Sequence, residues 1–369
     1  MKVSDVVDVL ERIAPPAWAG EWDNVGLLVG DPAARVRRVL TCVDATPRVV
    51  AEAVDCKAQM IVAHHPVIFK HITRLTPASA PAAFEAAKRR VAIYCMHTNF
   101  DAAPHGTNDY LAEAMRLRDV RPLAPAVDSG NVKIVVFVPP ADLSAVASAA
   151  FDAGAGHIGN YYDCAFFSHG IGAFCGGPET NPAVGRSGRH ETAEEMRLEA
   201  IAPHGRAGAV CQAIRAVHSY ETPAIDVYPV DDYLCHAGNG RVGTLDPGVS
   251  AEAMIRRIKR AVGLKKVFVS HPQGKDAADR PVRTAACGAG ACGDLYRAAI
   301  AAGADLYLTG EMKYHDLLEA VAAGLTVVCL GHGNSERMAM DALAEHLGDV
   351  FEGLEVAPAA ADEDPMEIV

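Results

Sequence analysis

The chain has 369 residues, of which 50% are apolar and 22% charged, with 32 Gly and 22 Pro; this excludes a chain disordered throughout and fits a turn-rich globular protein of two or three domains. Acidic residues outnumber basic ones 46 to 34, and the formal charge of −12 argues against unspecific binding to nucleic acid or an anionic membrane. No segment is long and apolar enough to span a membrane, no apolar leader follows Met1, and the ten scattered cysteines form no CxxC pair, so a cytoplasmic protein without a disulfide framework or zinc-thiolate site is expected.

The first part alternates helix and strand. Val3–Ile13 carries apolar residues at helical spacing, and Pro15-Pro16 stop it. Strands are predicted at Val39–Asp44, Met60–Ala63 and Val91–Met96, with helices at Thr46–Ala58 and Pro81–Arg90 between them. Such units build a mainly parallel sheet, and ligands gather where its strands end. From 129 to 232 the pattern changes. A strand at Lys133–Pro139, a helix at Leu143–Ala153, strands near Cys164–Phe167 and Met196–Ala200, a helix at Gly208–Val217 and a strand at Ile225–Pro229 follow the order of a ferredoxin-like unit. Gly176–Gly188 reads as a long loop within it. The first pattern then resumes, with helices at Pro247–Val262, Asp294–Ala302 and Ser335–Leu347 and strands at Val267–Val269, Thr284–Cys287, Ala304–Gly310 and Leu325–Leu330. The expected fold class is therefore α/β: mixed, mainly parallel sheets with helices, over 1–128 and 233–356, split in sequence by an inserted ferredoxin-like (α+β) domain at 129–232. Ala357–Val369 reads as an acidic tail that frays.

Polar residues cluster at four strand ends. The first is His64-His65-Pro66, where a strand-to-loop switch can turn both rings inward. The second holds His97 and Asp101, and the third His332 and Glu336, one helical turn apart. The fourth, weaker, holds Glu311, Lys313 and His315. His64, His65, Asp101, His332 and Glu336 supply three imidazoles and two carboxylates. That inventory suits a pair of Zn²⁺, Mn²⁺ or Fe²⁺ ions sharing ligands, with Asp101 as the natural bridge because it belongs to neither of the other clusters. Each motif taken singly has a plain alternative: a hydrogen-bonded histidine beside a strand, or a chance His-x-x-x-Glu pair on a helix.

Taken together, Asp23-Asn24-Val25-Gly26-Leu27, Ala63-His64-His65-Pro66, His97-Thr98-Asn99-Phe100-Asp101, Gly106-Thr107-Asn108-Asp109, Thr309–His315 and Gly331–Glu336 resemble the signature segments of one family. It is the dinuclear-metal, NGG-interacting-factor-like family, whose members are often labelled "GTP cyclohydrolase type 2 homologue". The resemblance covers about residues 1–125 and 235–355. It implies an α/β core assembled into a toroidal homohexamer, metal ligands at His64, His65, Asp101, His332 and Glu336, and His97 as a further inward candidate. Gly333 and Phe100 stand where the family often has Tyr and Leu, and neither change removes a ligand. The middle segment, through Gly154–Tyr161 and His218–Ala224, resembles the insertion of longer members, which is similar to nitrogen-regulatory and cation-tolerance domains and would cap the ring. His157 and His218 read as turn or interface residues. Arg186 and Arg189 could touch an anion. Gly288-Ala289-Gly290 lacks the Gly-Lys-Ser/Thr ending of a phosphate loop but allows close backbone approach.

Two functions follow. One is metal-assisted hydrolysis of a small-molecule substrate, with His97 and Glu336 as catalytic groups and Glu311, Lys313 or His315 as proton carriers or charge stabilisers. The other is a non-enzymatic metal-binding or metal-handling scaffold. Nucleic-acid binding would require Arg256, Arg257, Lys259, Arg260, Lys265 and Lys266 to form one stripe.

Overall fold

A computed structural model describes residues 1–125, 131–159, 161–230, 237–272 and 277–366. The chain forms two compact units, Met1–Ala126 with His236–Val369, and Val127–Cys235. The boundaries expected at 128/129 and 232/233, together with Asn160, lie outside the described residues.

The first unit holds two mixed sheets. In one, the strands lie in the order Gly26–Val29, Ala92–Cys95, Met60–Ala63, Arg38–Cys42, Glu355–Pro358, all parallel except the first. Met60–Ala63 and Ala92–Cys95 are buried throughout, which explains their unbroken apolar sequence. Val3, Val6 and Leu10 pack with Met340 and Leu343 on one core, while Val49, Val50, Ala53 and Ala83 form another. The second sheet has the order Phe268–Ser270, Thr326–Cys329, Leu306–Thr309, Pro281–Gly288, Gly238–Ser250, Arg118–Pro125. Its parallel trio is flanked by antiparallel strands.

Several elements differ from the sequence reading. Arg118–Pro125 and Gly238–Ser250 are strands that charges, glycines and prolines disguise. The helix expected from Pro247 begins at Ala251, because the strand continues to Ser250, whose hydroxyl accepts from the Ala253 amide at 3.2 Å. The acidic tail is ordered through Met366 rather than frayed. Glu355–Pro358 pairs with Arg38–Cys42, and the Asp362 carboxylate accepts from the Val43 amide at 2.8 Å and pairs with Arg337 at 2.5 Å. Composition alone hides partners that lie so far away in sequence.

The second unit is a four-stranded antiparallel sheet in the order Ala165–Cys175, His190–Pro203, Asn131–Val138, Ile225–Pro229. Helices Leu143–Asp152 and Ala207–Val217 connect the strands in β-α-β-β-α-β sequence, and Val146, Ala150, Val210 and Ile214 share a core with Ile134, Val136 and Leu198. Among the described residues every cysteine is free, and no helix is long and apolar enough to cross a membrane.

One buried cation ties the first unit together. Arg241 is 1% exposed; its guanidinium donates to Asp109 at 2.5 Å and to the carbonyls of Ala103 and Gly238 at 2.7 and 2.6 Å. A buried charge is tolerated when its donors are all engaged, and removing one partner strands the rest. Arg241→Ala should therefore cost about 3–5 kcal/mol of stability, read as a lowered urea midpoint. An unchanged midpoint would show that Asp109 and these carbonyls find water instead.

Candidate metal centre

The first sheet brings His64 and His65 just past Ala63, and His97 and Asp101 just past Cys95; the second brings His332 and Glu336 past Cys329. Each imidazole is held from behind. His64 Nδ1 donates to the Met96 carbonyl at 2.8 Å, His65 Nδ1 to Asp44 at 2.9 Å and His97 Nδ1 to Asp23 at 2.8 Å, while His332 Nδ1 lies 3.1 Å from Glu311. All four acceptors are carbonyl or carboxylate oxygens, so the proton of each neutral ring sits on Nδ1 and the Nε2 lone pair faces away from it.

Three of those Nε2 atoms, of His64, His65 and His332, converge on Glu336. Its Oε1 lies 3.6 Å from His64 Nε2 and 3.4 Å from His332 Nε2, and its Oε2 3.4 Å from His65 Nε2. His65 and His332 Nε2 are 3.2 Å apart. Two lone pairs at that distance need a proton or a cation between them. Asp101 stands 3.7 Å from His64 Nε2 and accepts from Thr107. The nitrogens and carboxylate oxygens fall into two overlapping groups, His64–His65–His97 and His65–His332–Glu336, each with donor atoms within 4.8 Å of one another. His64, His65, Asp101, His332 and Glu336 are thus brought together, with His97 beside them. Glu336 lies within 3.6 Å of three of these nitrogens, and Asp101 lies 3.7 Å from one.

The charge balance of the cluster favours a cation. Burial works against a charged Glu336, but His64 and His65 outweigh it and hold the carboxylate far below its ordinary range. Burial likewise opposes a charged His65, yet Asp44 and Glu336 lift it to about 10. Burial pushes Asp101 up, only partly offset by His64. The cluster demands positive charge, and His64 Nε2 and Glu336 Oε2 are buried without a hydrogen-bond partner. Orphaned donor atoms of these types, each oriented from behind, fit a divalent ion.

Sequence reasoning gave no role to three supports, Asp44, Asp23 and Ser335. Asp44 ends a strand, a visible signal, and orients His65; Asp23 orients His97. At Gly290, with φ +60°, an added Cβ would collide with the Glu336 carboxylate, and its amide donates to Ser335 Oγ at 2.8 Å. The close approach foreseen for that glycine turn is therefore to the metal cluster. Of the weaker fourth segment, Glu311 reaches His332, whereas Lys313 and His315 lie exposed. The basic stripe is interrupted: Arg257 donates to the Met115 carbonyl at 2.8 Å and Arg256 pairs with Glu252. In the second unit His218 donates to the Phe137 carbonyl at 3.0 Å and accepts from the Tyr220 amide, and His157 packs on Tyr162.

Comparison with known proteins sets this chain in a family. The model of Duf34/NIF3 (NGG1p interacting factor 3) matches residues 1–365. The chain belongs to that family. Among its relatives, a GTP cyclohydrolase 1 type 2 homolog of Halalkalibacterium halodurans is 34% identical over 379 aligned residues, covering 100% of both chains. One of Bacillus subtilis is 36% identical over 330 residues, covering 89% of this chain and 87% of the relative. A solved Bacillus cereus protein related to NIF3 superposes with a TM-score of 0.80 at 33% identity, covering 100% of this chain and 99% of that one. Staphylococcus aureus protein SA1388 gives 0.77 at 25% identity with the same coverage. The mixed α/β architecture of this NIF3 chain matches these neighbours.

Asp44 touches no other inward nitrogen, so its role can be isolated. Asp44→Ala should leave the thermal midpoint nearly unchanged and weaken divalent-ion binding roughly 10–100-fold, read by competition with a chromogenic chelator. Unchanged affinity would mean that His65 keeps its orientation without this carboxylate.

Proposed function

We propose that this NIF3 chain binds two divalent ions, Zn²⁺, Mn²⁺ or Fe²⁺, through His64, His65, Asp101, His332 and Glu336, and hydrolyses a small-molecule substrate there. The observation that carries the reading is the convergence of Nε2 lone pairs on one buried carboxylate, each ring fixed by an acceptor behind it. Imidazole-rich sets with carboxylates favour borderline transition metals over Mg²⁺ or Ca²⁺. Such ions supply Lewis acidity and a water whose pKa falls toward neutrality.

The chain's own residues supply the rest. Burial opposes an ionised Asp23, but His97 and Thr98 outweigh it and hold its pKa at about 2. An ionised Asp23 fixes the Nδ1 proton of His97 and leaves Nε2 to take a proton from a bound group and return it to a leaving group. Trp22 is 64% exposed, with its ring 6.0 Å from His97 and 5.9 Å from Phe69, a shelf for a flat substrate. A cavity of about 400 Å³ beside His65 is lined by Asp44, Phe69, Lys70 and His71, so an anionic group on that substrate would meet Lys70. The printed name of the relatives makes GTP one candidate; no motif in this chain selects guanine.

Exposure separates this reading from metal storage. The side chains of His332 and His65 are 34% and 23% exposed, so the cluster is reachable from solvent on the side that adjoins the cavity. A store would enclose its ions with protein ligands. We extend the proposal to a toroidal homohexamer on the strength of family membership.

Metal analysis of the loaded protein should return two ions per chain, and Glu336→Ala should release both. Retention of full occupancy in that variant would overturn the ligand set. In a screen of nucleotides, phosphoesters and cyclic amides, His97→Gln should keep both ions and lower kcat by roughly 10²–10⁴-fold. A fully loaded protein that turns over none of these classes would instead support the metal-handling scaffold.

A further inference from the structure

The second unit contains a cavity with chemistry of its own. It lies on the sheet face opposite the two helices, between Phe137 and Phe174, under the Gly176–Gly188 loop, and encloses about 420 Å³. That falls within the range of small-molecule sites, roughly 300–1,000 Å³. The loop is fastened as a roof: the Asn181 amide donates to the Glu221 carboxylate at 3.0 Å, and the Gly188 amide to the Gly176 carbonyl at 2.8 Å.

Glu195 lines this cavity and is only 9% exposed. Among the described residues it has no ion-pair partner, and none of the lining side chains is basic. The nearest arginine on its strand, Arg197, is committed to Glu199 at 2.6 Å and rests on the Phe137 ring at 5.7 Å. Beside Glu195 the Tyr220 hydroxyl is buried and faces the carboxylate. Burial first, and the Glu195 carboxylate second, push that phenol up to about 12, so it remains a donor or acceptor and never a competing anion at neutral pH. Room for the carboxylate is made by Gly172 on the neighbouring strand, where an added Cβ would collide with it. A carboxylate removed from water costs several kcal/mol unless a cation meets it, and aromatic walls favour that cation further.

We propose that this cavity is a binding site for a small organic cation, an amidinium or ammonium group carried on an apolar body. The charged group meets Glu195, with Tyr220 Oη as the second polar contact. The apolar body lies between Phe137, Phe174 and Val184. Glu221 is excluded from this role because it holds the roof. This is a ligand site separate in residues from the metal centre and independent of the hydrolase reading.

The test uses full-length, metal-loaded protein, with benzamidine and phenethylamine as probes and neutral benzamide as the shape-matched control, by titration calorimetry. Benzamidine should bind saturably with one site per chain, and benzamide should bind roughly 10–100-fold more weakly. Glu195→Gln should lose the same factor without a lowered thermal midpoint, since it keeps the shape of the side chain and breaks no ion pair. Gly172→Ala, which keeps the charge and takes its space, should weaken benzamidine as well. Equal affinity of wild type and Glu195→Gln, or no saturable binding of either cation by wild type, would overturn the site.

Discussion

The candidate metal centre depends on a constraint at the far side of each imidazole. A neutral histidine has one N–H and one lone pair, and whichever nitrogen meets an acceptor keeps the proton. Met96, Asp44, Asp23 and Glu311 are acceptors, and each faces an Nδ1. The inward nitrogens of His64, His65 and His332 thereby face Glu336, an arrangement suited to a cation. Without those four contacts the rings could turn, exchange tautomers and satisfy one another.

The centre is also a junction of two sheets. His64, His65, His97 and Asp101 come from one, His332 and Glu336 from the other, so the cluster exists only when both sheets have formed. The approach is close because two glycines permit it. Gly290 leaves space for the Glu336 carboxylate, and an added Cβ on Gly310 would strike the Gly290 carbonyl and Ser335 Oγ. Ser335 in turn accepts from the Gly290 amide and donates to the His332 carbonyl at 2.7 Å. The ordered tail contributes from another direction. Asp362 accepts from the Val43 amide, next to the Asp44 that orients His65.

The sequence made the ligands readable and hid much of their support. His64, His65, His97 and His332 stand directly after apolar runs such as Met60–Ala63, so their place at strand ends follows from periodicity and the rule that ligands gather there. Buried strands that alternate with helices are equally legible. Strands at a sheet's antiparallel flank are not: Arg118–Pro125 has two prolines and two arginines, and only its pairing with Gly238–Ser250 makes it a strand. The same holds for Asp23 and Asp362, whose partners lie 74 and 319 residues away. Which nitrogens each carboxylate reaches is likewise a matter of distance in space. Asp101 lies 3.7 Å from His64 Nε2, and the helix that starts at His332 brings Glu336 within 3.6 Å of three nitrogens.

The two candidate sites differ in how they treat an acid. At the metal centre Glu336 is buried among nitrogens that can all be satisfied by one class of ligand, and its low pKa records that attraction even with only protons to share. In the inserted unit Glu195 is buried among apolar walls with one phenol for company, and Gly172 is spent on giving it room. A carboxylate that served the fold alone would be stabilised by an arginine or by backbone amides, as Asp109 is by Arg241 and Asp362 by the Val43 amide. Glu195 has neither, although Arg197 stands two residues away on the same strand and pairs with Glu199 instead. A buried acid that faces a roofed cavity with one phenol beside it, while the nearby arginine serves Glu199, is placed to meet a cation that arrives from solution.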